Sequence, residues 1–493
     1  MSISVSRRAA LKSSAALGFL ASFGCNSPSA SPSSDSDLGK LDAVATAQAI
    51  KSGEVSASEV VEKAIERAIA VDEKINAIVT PYFDRARAAV ASAPHGAWFG
   101  VPLFIKDLMN VAGQRTAYGS RAFAKNVAQS QSAFVDKLFS TGVINLGKSS
   151  SPEFGLTATT EPMSDGPTLN PWNLAHSTGG SSGGAAALVA AGVVPVAQAS
   201  DGGGSIRIPA ACCGVAGLKV SRGRYPLTDP PHNLPLEISV PGIEARSVRD
   251  VAAFIAMMEV DSALPKVGVV TGPSKERRRI GYFTKSPLGG PVDPQVAAVT
   301  MKTAERLSAL GHEVEEMPVP FDAGMMQDFL IYWGMIAAGS IAKWEEIAGR
   351  KATYTEFEPF TFGLVEYFEM RKSILPVALE RLISFAGYYG SVFADRDVIL
   401  SPTVTTPPPK IGFLAPTAGV DAILEKLMNY VGFTPFMNVA GAPAISLPGG
   451  QTSERLPIGF QLAAANGRER TLLEIAYELE EAQPWTKIAP LMR

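Results

Sequence analysis

Gly179-Gly180-Ser181-Ser182-Gly183-Gly184 and Asp201-Gly202-Gly203-Gly204-Ser205-Ile206-Arg207-Ile208-Pro209 are two clusters of glycine and serine separated by a small-residue segment, Ala185 to Ala191, that reads as the start of a helix. Glycine lets a backbone approach a ligand closely and take dihedral angles that other residues avoid. Three glycines before a serine form a nest of amide N–H groups aimed where an oxyanion could develop. One such cluster would pass for a flexible loop. Two of them, with Ser181 and Ser205 separated by 205 − 181 = 24 positions in a chain otherwise patterned as ordered α/β structure, point to a built site.

Outward from these clusters, short apolar runs bounded by glycine and proline read as buried strands: Gly100 to Ile105, ending at Lys106-Asp107, then Val143 to Leu146, and Val398-Ile399-Leu400 before the proline-rich Ser401 to Pro409. Ser56-Ala57-Ser58-Glu59 is a capping box, and Val61, Ala64, Ile65, Ala68 and Ile69 follow at helical spacing over about four turns. Asp293-Pro294 opens another helix that Gly311 closes, and Val314 starts a further strand. Strands alternating with helices predict an α/β fold. No linker, repeat or low-complexity segment interrupts 38–493, so that range is expected to be a single domain.

Composition narrows the function. The chain has 493 residues, 46% apolar and 18% charged, which excludes disorder for most of its length. Lys+Arg is 44 against 47 Asp+Glu, a net charge of −3, without the basic field that nucleic acid demands. Three cysteines cannot make a disulfide framework, and Cys212 and Cys213 read as small core residues because no charged neighbour depresses their thiol pKa. Four histidines leave little for a His-rich metal site, and His95 and His176 read as loop residues.

Two further motifs match by letter and fail on physics. Gly142 to Ser149 fits G-x-x-x-x-G-K-[ST], but its intervening Val, Ile, Asn and Leu look like a strand and not a phosphate-cradling loop. Gly179 to Gly183 fits the G-x-S-x-G elbow around Ser181, yet Asn170 to Thr178 does not read as the strand an elbow needs. Only His232 and His312 lie downstream as bases, and His312 reads as part of a solvated turn after a helix. A Ser-His-Asp triad is therefore disfavoured.

The N-terminus reads as a delivery signal. Ser6-Arg7-Arg8-Ala9-Ala10-Leu11-Lys12 precedes an uncharged stretch, Ser13 to Cys25, of 25 − 13 + 1 = 13 residues. A spanning helix needs about 20 apolar residues, so this is the h-region of a signal peptide and not a membrane span. The S-R-R-x-x-L-K pattern resembles a twin-arginine export signal. Residues 1–25 are thus expected to be the signal peptide of a periplasmic or lipid-anchored protein. Cys25 stands at a candidate lipid-acylation position, although Ser22 occupies the place where such sites usually carry leucine. Asn26 to Asp37, with six serines and two prolines in twelve residues, reads as a tether.

Taken in order, Pro102-Leu103-Phe104-Ile105-Lys106-Asp107, Gly179 to Gly184, Asp201 to Pro209 and Gly217-Leu218-Lys219 resemble the amidase signature family. The likeness runs from about Leu41 to Trp485 and includes Thr434-Pro435, Asn438, Gly441 to Ala444, Leu456 to Gln461 and Leu472-Leu473. Around the nucleophile, Ala199 to Ala210 is most similar to the subgroup that hydrolyses the 6-aminohexanoate cyclic dimer. The resemblance implies a large twisted mixed β-sheet covered by α-helices on both faces. It implies an amidase that cleaves a carbon–nitrogen bond of a small-molecule amide through an acyl-enzyme, with no metal and no organic cofactor. Carried over, Ser205 is the nucleophile, Lys106 the base, and Ser181, after a cis peptide with Gly180, the relay. The amides of Gly202, Gly203, Gly204 and Ser205 form the oxyanion hole, Asp201 and Arg207 hold the loop, and Ser182 supports from behind. A lysine acts as a base only when neutral, so its pKa must fall from about 10.4 toward 7 by desolvation, at about 4 kcal/mol. The family's alternatives, an ammonia-releasing amidotransferase subunit or a non-catalytic amide-binding protein, are disfavoured by the export signal and by the intact Lys106, Ser181 and Ser205. Oligomeric state is left open.

Overall fold

A computed structural model describes residues 38–226, 228 and 234–492, so the proposed signal, the tether, Cys25 and His232 lie outside the described residues. The punctuated apolar runs are strands. Ile78–Pro81 (β1) and Pro102–Lys106 (β2) flank Ile144–Ser149 (β3) in a small three-stranded sheet, β2 parallel to β3 and β1 antiparallel to it. Leu169–Asn170 (β4) and Asn173–Ser177 (β5) make a separate antiparallel pair.

The large sheet contains Val196–Asp201 (β6), Ala216–Lys219 (β7), Val240–Ala245 (β8), Arg279–Tyr282 (β9), Glu313–Glu316 (β10), Val398–Pro402 (β11), Ala444–Gln451 (β12) and Pro457–Ala464 (β13). Their order is β10-β9-β11-β13-β12-β7-β8-β6. β10, β9 and β11 run parallel, and every pairing from β11 to β6 is antiparallel, so the sheet is mixed, as expected. β2 and β3 lie apart from this large sheet in the small one, and β2 meets the edge strand β6 through a side chain, the Lys106 N–H donating to Gln198 Oε1 at 3.1 Å.

Helices cover both faces because neighbouring strand residues point to opposite sides. Val196 and Ala216 join the core under the helices Val248–Met258 and Glu469–Ala482, whereas Ala197 and Val215 join a second core. That second core contains the helices Ala57–Ile75 (α1) and Gly183–Ala190 (α2), with Ala210 and Cys213 of Arg207–Cys213 (α3). α1 begins at the Ser56 cap, whose hydroxyl accepts from the Glu59 N–H, as its sequence predicts. Helices Gly324–Ala348 (α4) and Val420–Tyr430 (α5), with Pro359–Glu369 and Leu375–Ser391, build a cap over the end of the sheet where α3 starts.

Candidate active site

Lys106 ends β2 fully buried, and its Nζ lies 2.8 Å from Ser181 Oγ, 2.8 Å from Ser182 Oγ and 3.2 Å from Ser200 Oγ. Burial pulls its pKa down to about 7, against the opposing influence of the Asp201 and Glu244 carboxyls. A large part of this amine is therefore neutral near pH 7. Hydroxyl partners suit it, because a hydroxyl can accept from a charged ammonium and donate to a neutral amine.

The Gly180–Ser181 peptide is cis, and Ser181 and Ser182 immediately precede α2. The glycines allow close packing. A Cβ on Gly184 would lie 2.5 Å from the Ser150 backbone nitrogen, so only glycine lets α2 start against the turn after β3. Ser182 ties the clusters together, its N–H donating to the Ser205 carbonyl and its Oγ to the Ser200 carbonyl.

The loop between β6 and α3 is shaped by Asp201. Its carboxylate accepts from the Gly204 N–H at 2.8 Å, the Ile206 N–H at 3.2 Å and the Asn438 side-chain amide at 2.9 Å, and it forms a two-pronged pair with the Arg207 guanidinium at 3.0 Å on each side. Burial would raise this carboxyl, but Arg207 and these donors hold it well below the usual carboxylate range. Arg207 also reaches Gln461 and Asn438, and Thr434 donates to the Gly203 carbonyl at 2.7 Å. Gly204 has φ +130°, and a Cβ there would fall 2.3 Å from Thr434 Oγ1. Its N–H is committed to Asp201, which differs from the expected role in an oxyanion hole. Among the described residues the amides of Gly202, Gly203 and Ser205 have no protein acceptor, so these three remain as candidate oxyanion donors.

Ser205 lines a cavity of about 40 Å³ together with Gly180 and Gly203. The structure joins Lys106 to Ser181 and Ser182, and separately Asp201 to Arg207, while no hydrogen bond joins Ser181 Oγ to Ser205 Oγ among the described residues. A larger open cleft of about 280 Å³, between Trp172 and Trp485, lies at the C-terminal end of α3 without any of these groups.

Sequence reasoning gave no role to Ser200, Thr434, Asn438 or Gln461. All four stand in the quoted stretches, which was the available signal. Three other readings need correction, those of Asn173–Ser177, His176 and His312. Asn173–Ser177 is a strand after all, held by Asn170, whose side-chain amide donates to the Ser177 carbonyl at 3.0 Å and to the Cys212 carbonyl at 2.9 Å. His176 is therefore on a strand and not in a loop. His312 is buried and not solvated, accepting from the Arg278 N–H through Nδ1 and bonded to Glu478 through Nε2. Gly142 to Ser149 contains β3, and the buried Lys148 ammonium donates to the Met109 carbonyl and Thr116. Cys212 and Cys213 are buried core residues, with burial pushing the Cys212 thiol up to about 12. Among the described residues no cluster of three or more His, Cys, Asp or Glu side chains could hold a metal, and no helix is long and apolar enough to cross a membrane.

The profile of the Amidase family matches residues 59–473, and the chain belongs to this family. It is 44% identical over 460 residues to AmiC of Mycobacterium tuberculosis, covering 92% of this chain and 97% of that protein. It is 36% identical to a 6-aminohexanoate-cyclic-dimer hydrolase of a Pseudomonas species, over 91% and 96% of the two chains. A solved structure of 6-aminohexanoate cyclic dimer hydrolase complexed with substrate superposes with a TM-score of 0.84 at 33% identity, over 93% of this chain and all of the other. The protein is an amidase, a hydrolase of carbon–nitrogen bonds.

Proposed function

We propose that this amidase works through an acyl-enzyme on Ser205, with Lys106 as base and Ser181 as the relay. The observation that carries the reading is the buried Lys106 amine, brought to about 7 and hydrogen-bonded to Ser181 and Ser182 between the two glycine loops. Neutral Lys106 takes the Ser181 proton while Ser181 takes that of Ser205, and Ser205 Oγ adds to the amide carbonyl carbon. The oxyanion is received by the free amides of Gly202, Gly203 and Ser205. Collapse breaks the C–N bond as the proton returns from Lys106 through Ser181 to the leaving amine. Water then adds to the acyl ester by the same relay, releasing the acid and restoring Ser205. Asp201 and Arg207 keep the loop in the shape this chemistry needs, and Ser182 anchors Lys106.

The 6-aminohexanoate cyclic dimer, which some relatives are named for hydrolysing, is the first substrate to assay. A fluorophosphonate serine probe should label Ser205, and Ser205→Ala should remove both labelling and amide hydrolysis, by about 10⁴-fold or more. Retained hydrolysis in that variant would refute the assignment.

We also propose that residues 1–25 direct export through Arg7-Arg8, that 26–37 tether the catalytic unit at 38–493, and that the protein works in the periplasm, free or anchored at Cys25. Replacing Arg7-Arg8 by lysines should trap the protein in the cytoplasm. An unchanged distribution between cell fractions would refute export by this signal.

A further inference from the structure

The cavity at Ser205 has a wall of one chemical kind. Met326, Phe329, Leu330 and Trp333 line it from α4 at spacings of three and four residues, a single helical face. The Phe329 and Trp333 rings stack at 5.3 Å and 22°, and Trp333 Nε1 donates to the Leu156 carbonyl at 3.2 Å, which fixes the indole. Both rings lie over the candidate oxyanion donors. A Cβ on Gly202 would stand 3.5 Å from the Trp333 ring, and one on Gly203 would stand 3.3 Å from Phe329. The aromatic pair is thus adjacent to Gly202 and Gly203, where the proposed oxyanion would be held.

Among the described residues no charged side chain lines this cavity. Among the described residues that line it, Thr157 spends its hydroxyl on the Thr159 carbonyl, as Trp333 spends its indole N–H on Leu156. Asp328, the acid within the same helical stretch, is paired with Arg381 and does not line the cavity. A carboxylate or ammonium entering this site would lose its hydration and find no counter-charge among the described lining residues. The cavity is also narrow at about 40 Å³, and the unbranched Met326 and Met428 are the lining side chains best able to rearrange around an entering group.

We infer that the α4 wall, centred on Phe329 and Trp333, makes this enzyme selective for uncharged amides with apolar groups next to the scissile bond, and that it rejects amides carrying a charge within reach of that wall, the amide of glutamine among them. The inference rests on the acyl-enzyme reading of Ser205 and names its substrate class.

The test compares release of aniline by the full-length enzyme from hexananilide, adipic acid monoanilide and 6-aminohexananilide, three chains of matched length ending in methyl, carboxylate and ammonium. Hexananilide should exceed both others at least 100-fold in kcat/KM. Phe329→Arg, checked for folding by its melting temperature, should lower the ratio of hexananilide to adipic monoanilide at least tenfold. If that variant does not fold, the wild-type series decides alone. Equal or faster hydrolysis of the charged chains, abolished by Ser205→Ala, would overturn the substrate class while leaving the nucleophile standing. Labelling of Ser205 without hydrolysis of any of the three would also overturn the class. No labelling and no hydrolysis would remove the acyl-enzyme reading, and this inference with it.

Discussion

Lys106 at the end of β2 and Lys219 at the end of β7 are both fully buried, and burial first of all brings both to about 7. Their partners differ. Lys106 Nζ faces the hydroxyls of Ser181, Ser182 and Ser200, with the Ser200 carbonyl further off at 3.4 Å, whereas Lys219 Nζ donates only to carbonyls among the described residues, those of Val220 at 3.0 Å and Ala442 at 2.7 Å. A carbonyl only accepts, so Lys219 uses its protons to hold two backbone segments together. A hydroxyl gives as well as accepts, so Lys106 can receive a proton. Burial makes the neutral amine available, and the partner chemistry decides whether it is a base or a staple.

The largest expected effect follows from replacing the two lysines in turn. Lys106→Met should lower kcat for hexananilide by about 10³-fold, the scale of a lost general base, with the fold retained. A loss of only a few-fold would break the contrast. Asp201 stands within electrostatic reach of both lysines and favours their charged forms. Asp201→Asn strands the buried Arg207, so urea unfolding should show a loss of about 3–5 kcal/mol. In the folded fraction the acid side of the pH–rate profile should move to lower pH, because a carboxylate that held Lys106 protonated is gone.

The wild-type profile sharpens the same comparison. The neutral fraction of Lys106 rises as pH passes upward through about 7, so kcat/KM should climb about tenfold per pH unit below that point and level off above it. A flat profile between pH 5 and 8 would rule out a base titrating there. Smallest in its effect on the reaction is Lys219→Met. Kcat should change by no more than about threefold, while the carbonyls of Val220 and Ala442 lose their donor at about 1–3 kcal/mol of stability, measured by urea unfolding of the same preparation.

Much of this was legible in the sequence. Ser56, Asp293-Pro294 and Gly311 mark helix ends correctly because capping is a short-range matter of a few hydrogen bonds and dihedral angles. The strand at Asn173 was missed because its pairing depends on Asn170 and the end of α3, not on an alternating pattern of its own. His312 looked solvated because nothing near it in sequence announces Glu478, 166 residues on. The commitment of the Gly204 N–H to Asp201 was equally hidden, since three consecutive glycines look alike until the loop closes around a carboxylate.

The sequence by itself determined the two glycine-and-serine loops, the lysine ending an apolar strand and the helix starts behind them, because each depends on residues a few positions apart. Only the tertiary structure decided that Lys106 meets Ser181 across 75 residues, that Asn438 clasps Asp201 across 237, and that α4 roofs the site with aromatic rings. Those contacts follow from the order of the strands and from β2 docking beside β6 through Gln198, and long-range packing of that kind leaves no local pattern in the chain.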